Sequence, residues 1–258
     1  MTTVPSGAGL SNVQEWVTVA GVHVFSADLP AAEHDQVWRA LRAEHPRSGL
    51  VPVLLNGPSR VAAWSEEWPL EDQGPAALAE VRRIDPVEHM AMLQRSVQDW
   101  DAAESLGEPT DEYDPELLAA TLPAVAEAVP GRRAYTSTYP PDGVLLVPAE
   151  AAHDVPVLVP YLITPSNWFG APWHPDLTWH DHYAVLRLWQ ERHGAELFYA
   201  GGSTIELAVS RPPTAALDVA RCAIEQWVYC ADLSQKLGDV DVVARRQAPA
   251  AHWSFWWD

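Results

Sequence analysis

The sequence predicts an α+β protein, and three observations predict it. Apolar runs of strand length alternate with amphipathic helices in the second half. Their order is strand, helix, strand, strand, helix, strand, the split βαβ (ferredoxin-like) two-layer arrangement. A shorter strand–helix–strand pattern ends at Leu55. Finally, 48% hydrophobic and 20% charged residues in a chain of 258 supply a real core, enough for one large domain or two small ones.

Taken in order, residues 1–14 are expected to be a disordered lead-in, and 15–104 an α/β region packed on the C-terminal domain. Val22 to Phe25 is its first strand. Asp28 caps a helix with Pro30 in the first turn and a stripe of Val37, Trp38 and Leu41 that stops before Pro46. Leu50 to Leu55 is a second strand, closed by Asn56-Gly57-Pro58. Asp85-Pro86 opens another helix, with Glu88 placed for a capping box and Val87, Met90, Val97 and Trp100 as its stripe. No basic residue lies between Arg95 and Arg132, so 105–140 reads as an acidic, Pro-rich linker with a short helix.

The C-terminal domain is expected over 141–258. Val155 to Leu162 is its first strand candidate, although Pro156 and Pro160 cannot donate to a central ladder. Thr178 and Asp181 form a capping box for a helix that runs to His193-Gly194. Ala195 to Ala200 and Thr204 to Val209 make a hairpin around Gly201-Gly202. Thr214 caps the next helix, whose stripe is Leu217, Ala220, Ile224, Trp227, Val228 and Ala231. Trp253 to Asp258 is the last strand. Trp253, Phe255 and Trp257 share one face and Trp256 takes the other, which the N-terminal region is expected to shelter.

Charge narrows the partners. Thirty-five acids against 16 bases leave a formal −19, and Lys236 is the only lysine. Such a chain repels phosphate backbones and anionic lipid, so neither nucleic acid nor membrane is an expected partner. A basic protein partner fits the charge. Oligomeric state is not legible. The start, Met1 to Gln14, has neither a basic nor an apolar run, and the Val155–Ile163 stretch is too short to span a bilayer. The protein is therefore expected in the cytoplasm. Cys222 and Cys230 stand eight positions apart on one helix, about 12 Å at 1.5 Å per residue, beyond the ~7 Å reach of a disulfide. Free thiols in a reducing compartment are expected.

Several chemistries are excluded. There is no G-x-x-x-x-G-K-[ST], H-E-x-x-H, C-x-x-C or G-x-S-x-G, and Gly7-Ala8-Gly9 lacks the strand and third glycine of a dinucleotide fingerprint. No cofactor is expected. The densest cluster of side-chain chemistry is Trp173-His174-Pro175-Asp176-Leu177-Thr178-Trp179-His180-Asp181-His182. If Thr178 is the N-cap, His180 and His182 lie about 160° apart around the helix at 3.6 residues per turn. One-helix ligands need i, i+3 or i, i+4 spacing, so a core and a surface histidine are expected, with no metal. Candidate binding residues are Trp168, Trp173, His174, His180, Arg187, Trp256 and Asp258.

Arg187-Leu188-Trp189, His193-Gly194-Ala195-Glu196, Arg211-Pro212-Pro213-Thr214, Tyr229-Cys230-Ala231-Asp232 and the closing Trp253-Ser254-Phe255-Trp256-Trp257-Asp258 resemble the bacterial family known as domain of unknown function 4253. The resemblance covers about 155–258. It departs where Ala231 stands in place of an expected proline. It implies a fold unit that reaches the last residue and no activity, so no catalytic residue is carried over. The expected function is a non-catalytic, acidic protein-binding protein, in its specific form an immunity or inhibitor protein masking a basic partner. The alternative is a hydrolase-type enzyme with a noncanonical His/Asp site at 174–182.

Overall fold

Continuous Leu/Val runs become buried strands, and proline-led segments open the helices around them. The computed structural model describes residues 9–18, 20–29, 34–57, 74–104, 113–126, 129–133, 140–159, 162–163 and 176–257. The strands are β1 (Ser11–Val17), β2 (His23–Asp28), β3 (Leu50–Leu55), β4 (Val129–Arg133), β5 (Gly143–Pro148), β6 (Ala195–Gly201), β7 (Thr204–Val209) and β8 (Ala250–Trp256). The helices are α1 (His34–Ser48), α2 (Pro75–Val81), α3 (Pro86–Glu104), α4 (Pro115–Ala120), α5 (Val155–Leu158), α6 (Trp179–His193), α7 (Ala216–Tyr229), α8 (Leu233–Leu237) and α9 (Val240–Arg246). The architecture is α+β. None of the described helices is long and apolar enough to cross a membrane.

Two compact units are interleaved along the chain. One gathers 1–84, 137–164 and 197–205, the other 85–136, 165–196 and 206–258. This partition does not follow the contiguous 15–104 and 141–258 blocks.

In the first unit the strands run β1-β2-β5-β3-β6. β5 pairs antiparallel with both β2 and β3, while β3 meets β6 in parallel at Leu54 and Tyr199. All six residues of β3 are buried, as befits a strand covered on both faces. The amphipathic stripe of α1 places Val37, Trp38 and Leu41 inside. Trp38 donates from Nε1 to the Pro52 carbonyl at 3.0 Å and packs on Phe198.

Four expectations fail in this unit. Ser11–Val17, expected to be mostly lead-in, is β1, with Trp16 donating to Ser26 Oγ at 2.7 Å. Its largely exposed pattern hides it from a hydrophobic reading. Asp28 ends β2 opposite Gly143, and α1 continues through Pro46 in its last turn. Val155–Leu158 is helical instead of extended. Pro156 sits in that helix's first turn, where the missing N–H costs nothing and the fixed φ helps. The strand of this region is β5, built on the Val144-Leu145-Leu146-Val147 run.

The second unit orders its strands β7-β8-β4, with β4 parallel to β8. Trp253 and Phe255 of β8 and Trp257 just beyond it are 0–1% exposed, on one face as expected. They meet Trp189 of α6 and Tyr229 of α7: Trp189 stacks on Phe255 at 5.2 Å, and Tyr229 meets Trp257 edge-on at 5.2 Å. Helix α3 starts as read, the Asp85 carboxylate accepting from the Val87 and Glu88 amides. Met90, Leu93 and Val97 are buried, but Val87 is 51% exposed because it belongs to the outer side of that first turn. Helix α7 is capped by Ala215, not Thr214, whose carbonyl is taken by the Ala126 amide at 2.7 Å. Within the expected linker, Asp114 caps α4 by accepting from the Glu116 and Leu117 amides.

Candidate functional site

Within the histidine-rich segment, Asp181 and His182 lie in the first turn of α6 and point inward. Asp181 is 1% exposed and accepts from the Thr178 amide at 2.6 Å and Thr178 Oγ1 at 2.7 Å, the capping box read from sequence. Its other oxygen lies 2.7 Å from His89 Nε2, delivered by α3. His182 is buried, with Nδ1 2.6 Å from the Tyr229 hydroxyl. Burial drives its pKa down to about 4, against the opposing pull of Asp181. The Tyr229 hydroxyl is pushed well above its ordinary value by the same burial. His182 Nε2 and Trp257 Nε1 are also buried, without a hydrogen-bond partner among the described residues.

The remaining expected residues scatter. His180 is half-buried and stacked on Trp179 at 3.5 Å, so the two helix histidines diverge. Arg187 donates from Nε to Glu191 Oε1 at 2.9 Å. Trp256 is half-buried, with the Lys236 ammonium 4.4 Å from its ring centre. Trp168, Trp173, His174 and Asp258 lie outside the described residues. Among the described residues no three His, Cys, Asp or Glu side chains are placed to hold a metal ion. The cysteines are free and buried. Burial pushes the Cys222 thiol well up and that of Cys230 to about 12, far from a reactive thiolate.

The other end of α6 is open. Gly194 ends the helix at φ 58°, the left-handed geometry that glycine supplies without penalty. A Cβ there would lie 2.1 Å from Ser210 Oγ. Arg211 follows, its amide on the His193 carbonyl at 2.8 Å and its Nη2 on the Glu191 carbonyl at 2.9 Å. Around this cap lies a cleft of about 640 Å³, lined by Arg192, His193, the Arg211–Thr214 turn, and Asp218, Arg221, Cys222 and Glu225 of α7. Arg192 donates to Glu225, which also accepts from Trp189 Nε1 at 3.0 Å. Burial raises the Glu225 pKa while Arg192 opposes it. His193 is lowered to about 4, first by burial and then by Arg192. Sequence reasoning missed this cleft, although two of the quoted motifs, His193-Gly194 and Arg211-Pro212-Pro213-Thr214, meet there.

A third feature surrounds α4. Leu117 is 51% and Val125 69% exposed, and Asp114 and Glu116 are exposed as well. The chain after α4 lines an apolar cleft of about 530 Å³, with Leu122, Pro123, Val125 and Ala126 facing Ala216, Val219, Ala244, Arg245 and Pro249. Arg245 is held by Asp241 and the Thr121 carbonyl.

Comparison with known proteins finds no curated protein and no solved structure that matches the chain. A family comparison does find a match. It starts before Val155, where the motifs placed the boundary, and so takes in β5. Residues 143–258, the C-terminal part of the chain, match the family described as Domain of unknown function (DUF4253).

Proposed function

We propose that this is a non-catalytic binding protein that takes a basic protein partner on the surface of α4. The carrying observation is Val125, 69% exposed on the wall of an apolar cleft, together with the exposed Leu117 and the acids Asp114 and Glu116 of the preceding helix α4 and its cap. An apolar centre with a charged rim is the anatomy of a protein interface. Acidic charge in a chain of net −19 accelerates capture of a basic partner. An inhibitor that masks such a partner is the specific form of this reading. Two free, buried thiols fit a reducing, cytoplasmic setting. A hydrolase using 174–182 would need Asp181 and His182 to surrender the Thr178, His89 and Tyr229 contacts they hold.

The test is a pull-down from the native cell with the wild type and an Asp114→Asn/Glu116→Gln/Leu117→Ser variant, followed by calorimetry with the purified captured protein. A basic protein should be retained by the wild type alone. Its affinity should fall about tenfold or more in the variant and weaken with salt. A captured protein whose affinity ignores both the substitutions and the salt would overturn the reading.

A further inference from the structure

We propose that the cleft at the C-terminal end of α6 binds the oxyanion of a small molecule, a phosphate or carboxylate group, through Arg192, Arg211 and Arg221. The first argument is charge. The chain carries only 16 basic residues against 35 acids. Yet three arginines line this one cleft against two carboxylates, Asp218 and Glu225. Arg192 is paired with Glu225 and Arg221 weakly with Asp218, so the lining keeps one net positive charge in a strongly anionic protein. Positive potential confined to a concave site concentrates small anions there while the surrounding negative field repels polyanions.

The second argument is geometry. Each guanidinium carries five N–H donors in a planar fork, suited to carboxylate and phosphate oxygens. Arg192 uses Nη1 on the buried Glu225, which is itself anchored by Trp189. Arg211 uses Nη2 on the last carbonyls of α6. Those bonds fix the two forks from behind, so little side-chain entropy is lost when a ligand arrives. Arg221 completes the set from α7. Its nearest carboxylate, Asp218, stands 4.0 Å away with both side chains more than half exposed, a pairing that contributes little. The cleft volume of about 640 Å³ falls among those of small-molecule sites. Pro212 and Pro213 stiffen one wall.

His193 supplies an internal reporter. It lines the cleft, and burial with Arg192 keeps it neutral at physiological pH. An anion seated beside it favours the protonated ring and raises its pKa.

The experiment is calorimetry at low salt with inorganic phosphate, a sugar monophosphate, a tricarboxylate and, as a neutral control, the unphosphorylated sugar. His193 ring shifts are followed by NMR over pH 4–8. Saturable binding of one anion class is expected, with a dissociation constant below about 1 mM, or roughly 4 kcal/mol of binding free energy. The sugar itself should not bind. Preference for the monophosphate or the tricarboxylate identifies the class. Arg221→Gln should weaken binding about tenfold, Arg211→Gln/Arg221→Gln should abolish it, and the bound anion should raise the His193 titration. Arg39→Gln, an exposed charge on α1, should leave binding unchanged. Thermal melting keeps any loss of fold separate from loss of binding. The proposal fails if no anion saturates at about 10 mM. It also fails if folded Arg221→Gln binds like the wild type, or if His193 titrates alike with and without ligand.

Discussion

The two ends of helix α6 differ in opposite senses from their sequence signals. The N-terminal end carries the densest run of histidine and aspartate in the chain, yet Asp181 binds Thr178 and His89, and His182 turns its Nδ1 to Tyr229 inside the core. The C-terminal end reads as an ordinary helix stop, His193-Gly194, and opens on a cleft lined by three arginines. Burial accounts for the difference. A titratable group sealed in the core satisfies its polar atoms locally or gives up its charge, while a half-exposed arginine tied at one nitrogen keeps donors for something else. Density of reactive residue types is thus a weaker guide to a site than surplus charge facing a cavity.

The sharpest way to break the comparison is at Trp189, which serves both ends. Its ring is fully buried against Tyr229, Trp253 and Phe255, and its Nε1 holds Glu225 under the cleft. Trp189→Ala should cost about 3–5 kcal/mol, a large part of the ~5–15 kcal/mol that holds a domain together. Urea unfolding should show the midpoint collapse. A wild-type midpoint would mean that the aromatic cluster is not the core of this unit.

Next in size is the pH response of the sealed end. The unfolded His182 ring titrates near the ordinary 6.5, but in the folded protein near 4. Between those values the unfolded chain binds the proton and the folded one does not. Stability is therefore full above about pH 6.5 and falls as pH drops towards 4, by about 3 kcal/mol at 1.36 kcal/mol per pH unit. His182→Asn keeps a group near Nδ1 for Tyr229 and removes the titration. Its stability should fall less steeply between pH 7 and 5. Equal slopes for the two proteins would show that His182 is not sealed.

The open end responds to backbone chemistry. Gly194→Ala meets a left-handed φ that costs a side chain about 1–2 kcal/mol and a Cβ that crowds Ser210 Oγ. Adding Ser210→Ala should recover only the crowding. If the single variant melts like the wild type, the helix does not end on the left-handed cap that sets Arg211 in place.

Local chemistry explains which features were legible. The Thr178/Asp181 capping box and the Asp85 cap involve residues three or fewer apart and were readable. The Thr204–Val209 strand was readable from the Gly201-Gly202 hairpin signal before it. Val155–Leu158 was misread because an apolar run of that length suits a strand or a buried helix, and Pro156 decides for the helix. β1 was missed because its side chains face solvent and its stability comes from pairing with β2. The arginine cleft could not be read at all. Arg192, Arg211 and Arg221 converge only once the Gly194 turn and the β7–α7 connection place them, and no spacing rule encodes that.

The smallest expected effect bears on the sealed end as a metal site. His180 is half-buried and stacks on Trp179, whereas His182 faces Tyr229 in the core. Two positions apart on one helix, their rings do not share a face, and no described His, Cys, Asp or Glu group completes a ligand set. His180→Ala should change stability by about 1 kcal/mol or less, the worth of one half-buried ring contact. Zinc should leave the melting temperature of both proteins unchanged, because an ion without an ordered site gives no preferential binding to the folded state. The measurement is a thermal melt with and without stoichiometric zinc on protein lacking a histidine tag. A zinc-dependent rise that vanishes in His180→Ala would place a ligand set at this end and would reverse the contrast between the two ends of α6.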